Sequence, residues 1–340
     1  MGRVRRVSVM PLDKRNAVQL TALAAVLLTL SFISLFVGVS SISPRDIFDL
    51  SPLQKQILSI TRVPRLLSAV MAGASLAIAG TIMQQLTRNK FVSPTTAGTM
   101  DAARLGVLVG LLVFPGASLL QKTAVAFAFA LAGTYVFIRI VERVKIKNTI
   151  FIPLVGLMFG NIVSSVTTSV AYRFDLLQSL ATWLHGDFSM ILRGRYEMLY
   201  VGVPLMAVAY VYADRFTIAG MGDSFAANLG LNYRRVVNVG LFIVAAVSSA
   251  VVLTVGSLPF LGLVVPNIVT IYRGDNVRKN LPHTALLGAA LVVGCDVIGR
   301  IIIHPYEVSV GLIMGVLGSA VFLFLLLRGN ARGARGGVGA

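Results

Sequence analysis

Residues 62–98 read RVPRLLSAVMAGASLAIAGTIMQQLTRNKFVSPTTAG. Between Arg65 and Arg88 there is no charged side chain. At about 1.5 Å of rise per residue, the apolar interval 66–86 is long enough to cross a hydrocarbon core of about 30 Å. Gly73, Ala77 and Gly80 recur at spacings of four and three, which puts small residues on one helix face where a second backbone can approach closely in lipid. The stretch therefore reads as a membrane span that packs against other helices, with basic residues at both ends.

The rest of the chain repeats this pattern. Of 340 residues, 56% are hydrophobic and 13% charged, against about 25% charged in an ordinary soluble domain. Apolar windows cut at charges and turn residues predict ten spans, at 17–39, 66–86, 97–114, 122–141, 149–172, 197–213, 236–256, 260–272, 283–302 and 307–327. The fold class is thus an all-α polytopic membrane protein. A basic amino terminus (1–16) precedes one membrane domain (17–327), and a Gly/Arg-rich tail (328–340) is expected to be disordered. The first span is too long, and lacks the small-residue site, for a cleavable signal peptide. With the amino terminus inside, 20 of the 30 Lys and Arg fall on the inner side and 9 on the outer, so both termini are expected in the cytoplasm. The net charge of +17 then reflects orientation and anionic lipid headgroups, not nucleic acid.

Three stretches between spans stand out. Residues 40–65, outside, are expected to form an amphipathic surface helix, and residues 173–196, also outside, hold Trp183. Residues 214–235, inside, read DRFTIAGMGDSFAANLGLNYRR, two short helices joined by glycines where another protein could dock. No GxxxxGK[ST] phosphate loop and no GxSxG nucleophile motif occurs. His185, His283, His304 and the lone Cys295 lack metal-ligand spacing, so no metal site is expected. Asp296 and Arg300, four apart on one helix face, can neutralise each other, while Glu307 has no partner nearby in sequence. Were these acids a proton relay, the protein would be a proton-coupled secondary transporter. A faint echo, Gly73-Ala74-x-Leu76 against Gly288-Ala289-x-Leu291, lies near chance in Gly/Ala-rich sequence.

The second span carries a longer constellation: Arg62-Val-Pro-Arg65, Gly73-Ala74-x-Leu76-Ala77, Gly80, Gln84, Asn89, Pro94 and Gly98. It is followed in order by Trp183 with Gly186, Ala227-x-Leu229-Gly230, and Gly256-x-x-x-Phe260-x-Gly262-Leu263-x-x-Pro266. Then come Gly274-Asp275-Asn276-x-Arg278, Asp296-x-x-x-Arg300, Glu307, Gly311 and Phe322. Over about residues 17–328 the chain resembles the FecCD family, permease subunits of bacterial importers for iron–siderophore complexes, haem and cobalamin. It departs from the family pattern at Lys90, where a proline is usual, at Asn267, where a histidine is usual, and at Ser319-Ala320-Val321, where the usual proline is missing. The Pro266-Asn267 form, with Gly-Asp-Asn-x-Arg-Lys and Pro305-Tyr306-Glu307, is similar to the branch that imports ferric catecholate siderophores.

The resemblance implies a type II ABC-importer permease of the bacterial cytoplasmic membrane, not itself an enzyme. It implies two ATPase subunits that carry ATP and magnesium, with no cofactor on this chain. It further implies an extracytoplasmic binding protein (lipoprotein or periplasmic) and a second permease chain, a heterodimer with a paralogue being favoured over a homodimer. Arg62, Arg65 and Arg300 match arginines that pair with glutamates of the binding protein. Ala226, Ala227, Leu229 and Gly230 match the loop that contacts the ATPase, with Gly230 expected to turn the chain between its two helices. Asn148 and Thr149 occupy the place of the cytoplasmic gate. Gly73, Gly80, Gln84, Asn89, Pro94, Gly98, Gly262, Pro266, Asp296, Glu307 and Gly311 match structural motif positions. Haem or cobalamin is the alternative cargo within the family.

Overall fold

The computed structural model of the chain describes residues 12–38, 50–94, 98–143, 151–184 and 186–336. Among these there are fourteen α-helices and no β-strand. In chain order they begin with α1 (Leu12–Phe36), the short α2 (Pro52–Ile57), α3 (Val63–Thr87), α4 (Thr99–Val113), α5 (Leu119–Arg143), α6 (Phe151–Arg173) and the short α7 (Leu177–Leu184). After a 3-10 turn at Glu197–Val201 come α8 (Gly202–Val211), the short α9 (Ala213–Gly220) and α10 (Asp223–Asn228), α11 (Tyr233–Val255), α12 (Leu261–Arg273), α13 (Val277–Ile301) and α14 (Val310–Gly336). Setting the four short helices aside leaves ten, one at each predicted span. Six have the length and apolarity to cross a membrane outright, and the pair Glu197–Val211 and Ala213–Gly220, bent by 63°, makes a seventh.

The helices are apolar for two different reasons. α1 is exposed along nearly its whole length, with Val26, Leu28 and Phe32 on its surface, as suits a helix facing lipid tails. α3 is the opposite case: every residue from Met71 to Gln84 is buried, because α1, α8, α9, α11, α12 and α13 all pack around it. A helix apolar all round is read in either way from sequence. A second, smaller core joins α4, α5 and α7, through Ala103, Val107, Ala126, Ala130 and Leu180.

One expectation is corrected. Residues 50–65 do not form a separate surface helix; residues 39–49 lie outside the described residues. α2 opens on a capping box, Ser51 with Gln54, with Pro52 in its first turn. It runs through a π turn at Leu58–Arg62 straight into α3, giving one helical run from Pro52 to Thr87. The cause is Pro64, which has no N–H for the carbonyl of Ile60. That carbonyl instead accepts from the Arg193 backbone N–H at 3.0 Å, so the wider turn leaves no orphaned acceptor. At the other end, α14 runs to Gly336.

Candidate functional site

Several motif residues of α3 turn out to solve one packing problem. Pro266 lies inside α12, and its missing N–H frees the Gly262 carbonyl one turn back. Gln84 Nε2 points at that carbonyl, 3.5 Å away, and donates to the neighbouring Leu263 carbonyl at 3.3 Å. To bring Gln84 there, α3 must touch α12 backbone to backbone: a Cβ on Gly80 would sit 2.0 Å from the Gly262 oxygen. Pro94 fills the other side of Gly262. Asn267 donates to the Lys90 carbonyl at 2.8 Å, while Asn89 accepts from the Phe91 N–H at 2.8 Å. Two of the three departures from the family pattern, Lys90 and Asn267, therefore meet in one hydrogen bond. Two turns nearer the outer side, Gly73 and Gly288 each approach the other's carbonyl so closely that a Cβ would come within 2.6 and 2.5 Å. The weak sequence echo thus meets itself at the α3–α13 crossing. Gly98 packs under Phe159 of α6, and Gly311 donates its N–H to the Gly186 carbonyl at 2.8 Å.

The three expected docking arginines come together at the outer ends of α3 and α13, but they are turned inward. Arg65 is bridged to Asp296 at 2.8 Å and to Glu307 at 2.8 Å. Arg300 pairs with the other Asp296 oxygen and donates to the carbonyls of Ser34 at 2.9 Å and Val37 at 2.8 Å. Arg62 donates to the Leu35 carbonyl. Three cations share two carboxylates, so the cluster carries one formal positive charge in excess. Asp296 is 1% exposed and Arg300 4%, a degree of burial that only full pairing makes affordable. A cavity of about 160 Å³ lined by Arg62, Arg65, Arg300, Glu307 and Ser189 opens beside them. Its accessible charged members are Arg65 and Glu307, with side chains 13% and 26% exposed.

The inner loop folds as two short helices, α9 and α10, as expected. The turn between them falls at Met221-Gly222, not at Gly230. Gly230 ends α10: at φ 74° its N–H donates to the Ala227 carbonyl at 2.9 Å and that of Leu231 to Ala226 at 3.0 Å, a Schellman closure that needs a left-handed residue. Ala226 is buried in the chain's own packing, and Ala227 faces out. Met221, at the corner between α9 and α10, and Phe225 and Leu229, in and at the end of α10, are 58%, 47% and 58% exposed. Sequence reading named only the last of these three.

Asn148 and Thr149 lie outside the described residues. The helix that follows them, α6, carries an unusual face for a membrane helix: Asn161, Ser164, Ser165, Thr168, Ser169 and Tyr172 line a groove of about 530 Å³. Most of these side chains are exposed, and polar groups facing lipid tails would be costly. Beside them, Leu157, Met158, Ile162 and Val166 are exposed and apolar. Among the described residues, no three His, Cys, Asp or Glu side chains gather as a metal site would require.

The FecCD transport family matches residues 26–328. The chain is 60% identical to the petrobactin import system permease protein YclN of Bacillus subtilis over 313 residues, which is 92% of this chain and 99% of that one. It is 40% identical to the ferric-anguibactin transport system permease protein FatD of Vibrio anguillarum, over 88% of this chain and 96% of the relative. In fold it is similar to a solved metal-chelate type ABC transporter in an inward-facing conformation, with a TM-score of 0.76 at 22% identity over 92% of this chain.

Proposed function

Because the chain belongs to the FecCD transport family, we propose that it is the membrane-spanning permease of an ABC importer that carries a ferric siderophore of catecholate type into the cytoplasm. The observation that carries this reading is the cytoplasmic loop. It exposes three large apolar side chains, Met221, Phe225 and Leu229, on a polar loop outside the spans, the kind of surface that a docking protein buries. A secondary carrier needs no such contact. Two ATPase subunits, binding ATP and magnesium, would dock there and draw the spans between outward and inward openings. The hydroxyl face of α6 would line the path between this chain and a second permease, for which a paralogue is favoured, with Asn148 and Thr149 at its inner constriction. Of the three arginines, the accessible Arg65 would receive a carboxylate of an extracytoplasmic binding protein, while the buried Arg62 and Arg300 add positive charge behind it that favours an anionic chelate. The chelate already satisfies its iron, so the path needs no metal ligands.

Uptake of iron-55 on a panel of catecholate, hydroxamate and carboxylate siderophores, in cells lacking this chain and then restored, tests the reading. Restoration of one catecholate by the wild type, but not by an equally expressed Leu229→Asp variant, supports both cargo and coupling. Unchanged uptake of every chelate on deletion overturns the siderophore assignment and makes haem and cobalamin the next cargoes to test.

A further inference from the structure

The outer charge cluster and the inner loop lie at opposite ends of the molecule, yet one helix reaches both. α13 runs from Val277 to Ile301, 25 residues or about 37 Å, with Pro282 near its inner end lacking the N–H that the Arg278 carbonyl would otherwise accept from. Near its outer end stand Asp296 and Arg300, the buried half of the arginine cluster. Its inner end is fastened to α9. The guanidinium of Arg278 pairs with Asp214, at the start of α9. The same guanidinium lies 5.6 Å from the ring centre of Tyr210 on α8. Beside it the Val277 N–H donates to Thr217 Oγ1 at 3.2 Å. From α9 only Met221 and Gly222 lead to α10 and its exposed apolar side chains. Along its length α13 is locked to the central α3 by the reciprocal Gly73–Gly288 contact, so it has little freedom to bend away.

We propose that α13 is the strut that carries docking at the outer mouth to the ATPase contact, and that Arg278 is the positioning residue that fastens the strut to the loop. The proposal rests on the importer reading above. A binding-protein carboxylate that draws Arg65 from Glu307 changes the charge facing Asp296. A packed helix answers as a rigid body, so the displacement reappears at Val277 and Arg278 and moves α9 and α10 with it. Coupling of this kind acts equally in reverse, from nucleotide to docking affinity.

The test uses the whole importer in lipid vesicles: this chain, its second permease left wild type, both ATPase subunits and the binding protein loaded with ferric chelate. ATP hydrolysis is measured with and without the loaded binding protein, for wild type, Arg278→Ala, Asp214→Ala and the swapped pair Arg278→Asp with Asp214→Arg. Both positions are half exposed, so the variants are expected to fold. In the single variants, basal hydrolysis stays near wild type while stimulation by the binding protein drops about two- to fivefold, the range that an exposed ion pair can supply. The swapped pair restores stimulation; a merely structural role would instead lower basal and stimulated rates together in the single variants. Stimulation equal to wild type in the single variants, or basal and stimulated rates falling in the same proportion, overturns the strut. A wild-type complex that the binding protein does not stimulate at all overturns the importer reading itself.

Discussion

At the scale of single residues, Asp296 holds the outer cluster together, since its two oxygens serve Arg65 and Arg300 separately. Asp296→Asn leaves the buried Arg300 without a counter-charge and Arg65 with Glu307 alone, and is expected to cost about 3–5 kcal/mol, read as a lowered Tm in detergent. Glu307 is more accessible, and Glu307→Gln is expected to cost no more than about 1 kcal/mol. The sequence showed the Asp296–Arg300 pair because the two lie one turn apart. It could not show Glu307 with Arg65, 242 positions away, because no local spacing encodes that meeting. Glycines divide in the same way. Gly80→Ala pushes a methyl into the Gly262 carbonyl, and a loss of roughly 1–3 kcal/mol is expected, as for other overpacked cores. Gly116→Ala, where nothing lies within 4 Å, is expected to stay within about 0.5 kcal/mol of wild type.

Among the elements, α10 separates two kinds of small apolar residue. Phe225→Asp and Leu229→Asp place charge at exposed apolar positions, so the chain should express and fold normally while the ATPase subunits cease to co-purify. Ala226→Asp places charge inside the chain's own packing, and low expression is expected before any partner is involved. Equal expression of all three variants would contradict this division. The two-helix form of residues 214–235 was legible in its glycines and polar spacing. Which glycine turned the chain and which closed a helix was not, because both tasks favour the same residue and differ only in φ and in hydrogen-bond partner. The π turn at Leu58–Arg62 escaped sequence reading for a related reason. The proline that causes it was visible, but the N–H that relieves it comes from Arg193, beyond four intervening helices.

For the whole molecule, composition alone gave ten spans and their order, since lipid demands long apolar helices whatever their neighbours. It could not say that α1 faces lipid while α3 is wrapped in protein, because hydrocarbon and protein interior are equally apolar. The distinction is measurable. In cells, cysteines placed at Ser165 and Thr168 on the polar face of α6 should react with a water-soluble thiol reagent. Cysteines at Val26 and Leu28 on α1 should not, and the native Cys295 is buried and should stay silent. Labelling at α1 as fast as at α6 would contradict a watered groove along α6.

The placement of α3 also has a consequence for synthesis. The central helix leaves the ribosome early, but α11, α12 and α13, which bury most of it, follow only after the better part of 200 further residues. At about 5–20 residues per second that is a wait of roughly 10–40 s. During it, a helix whose Gly73 and Gly80 are shaped for backbone contact has only lipid or the insertion machinery beside it. The nascent chain is therefore most open to membrane proteases in this interval. A premature stop anywhere before α13 should leave fragments that are degraded rather than partly folded, and a single lesion in the last third of the chain should remove the whole product.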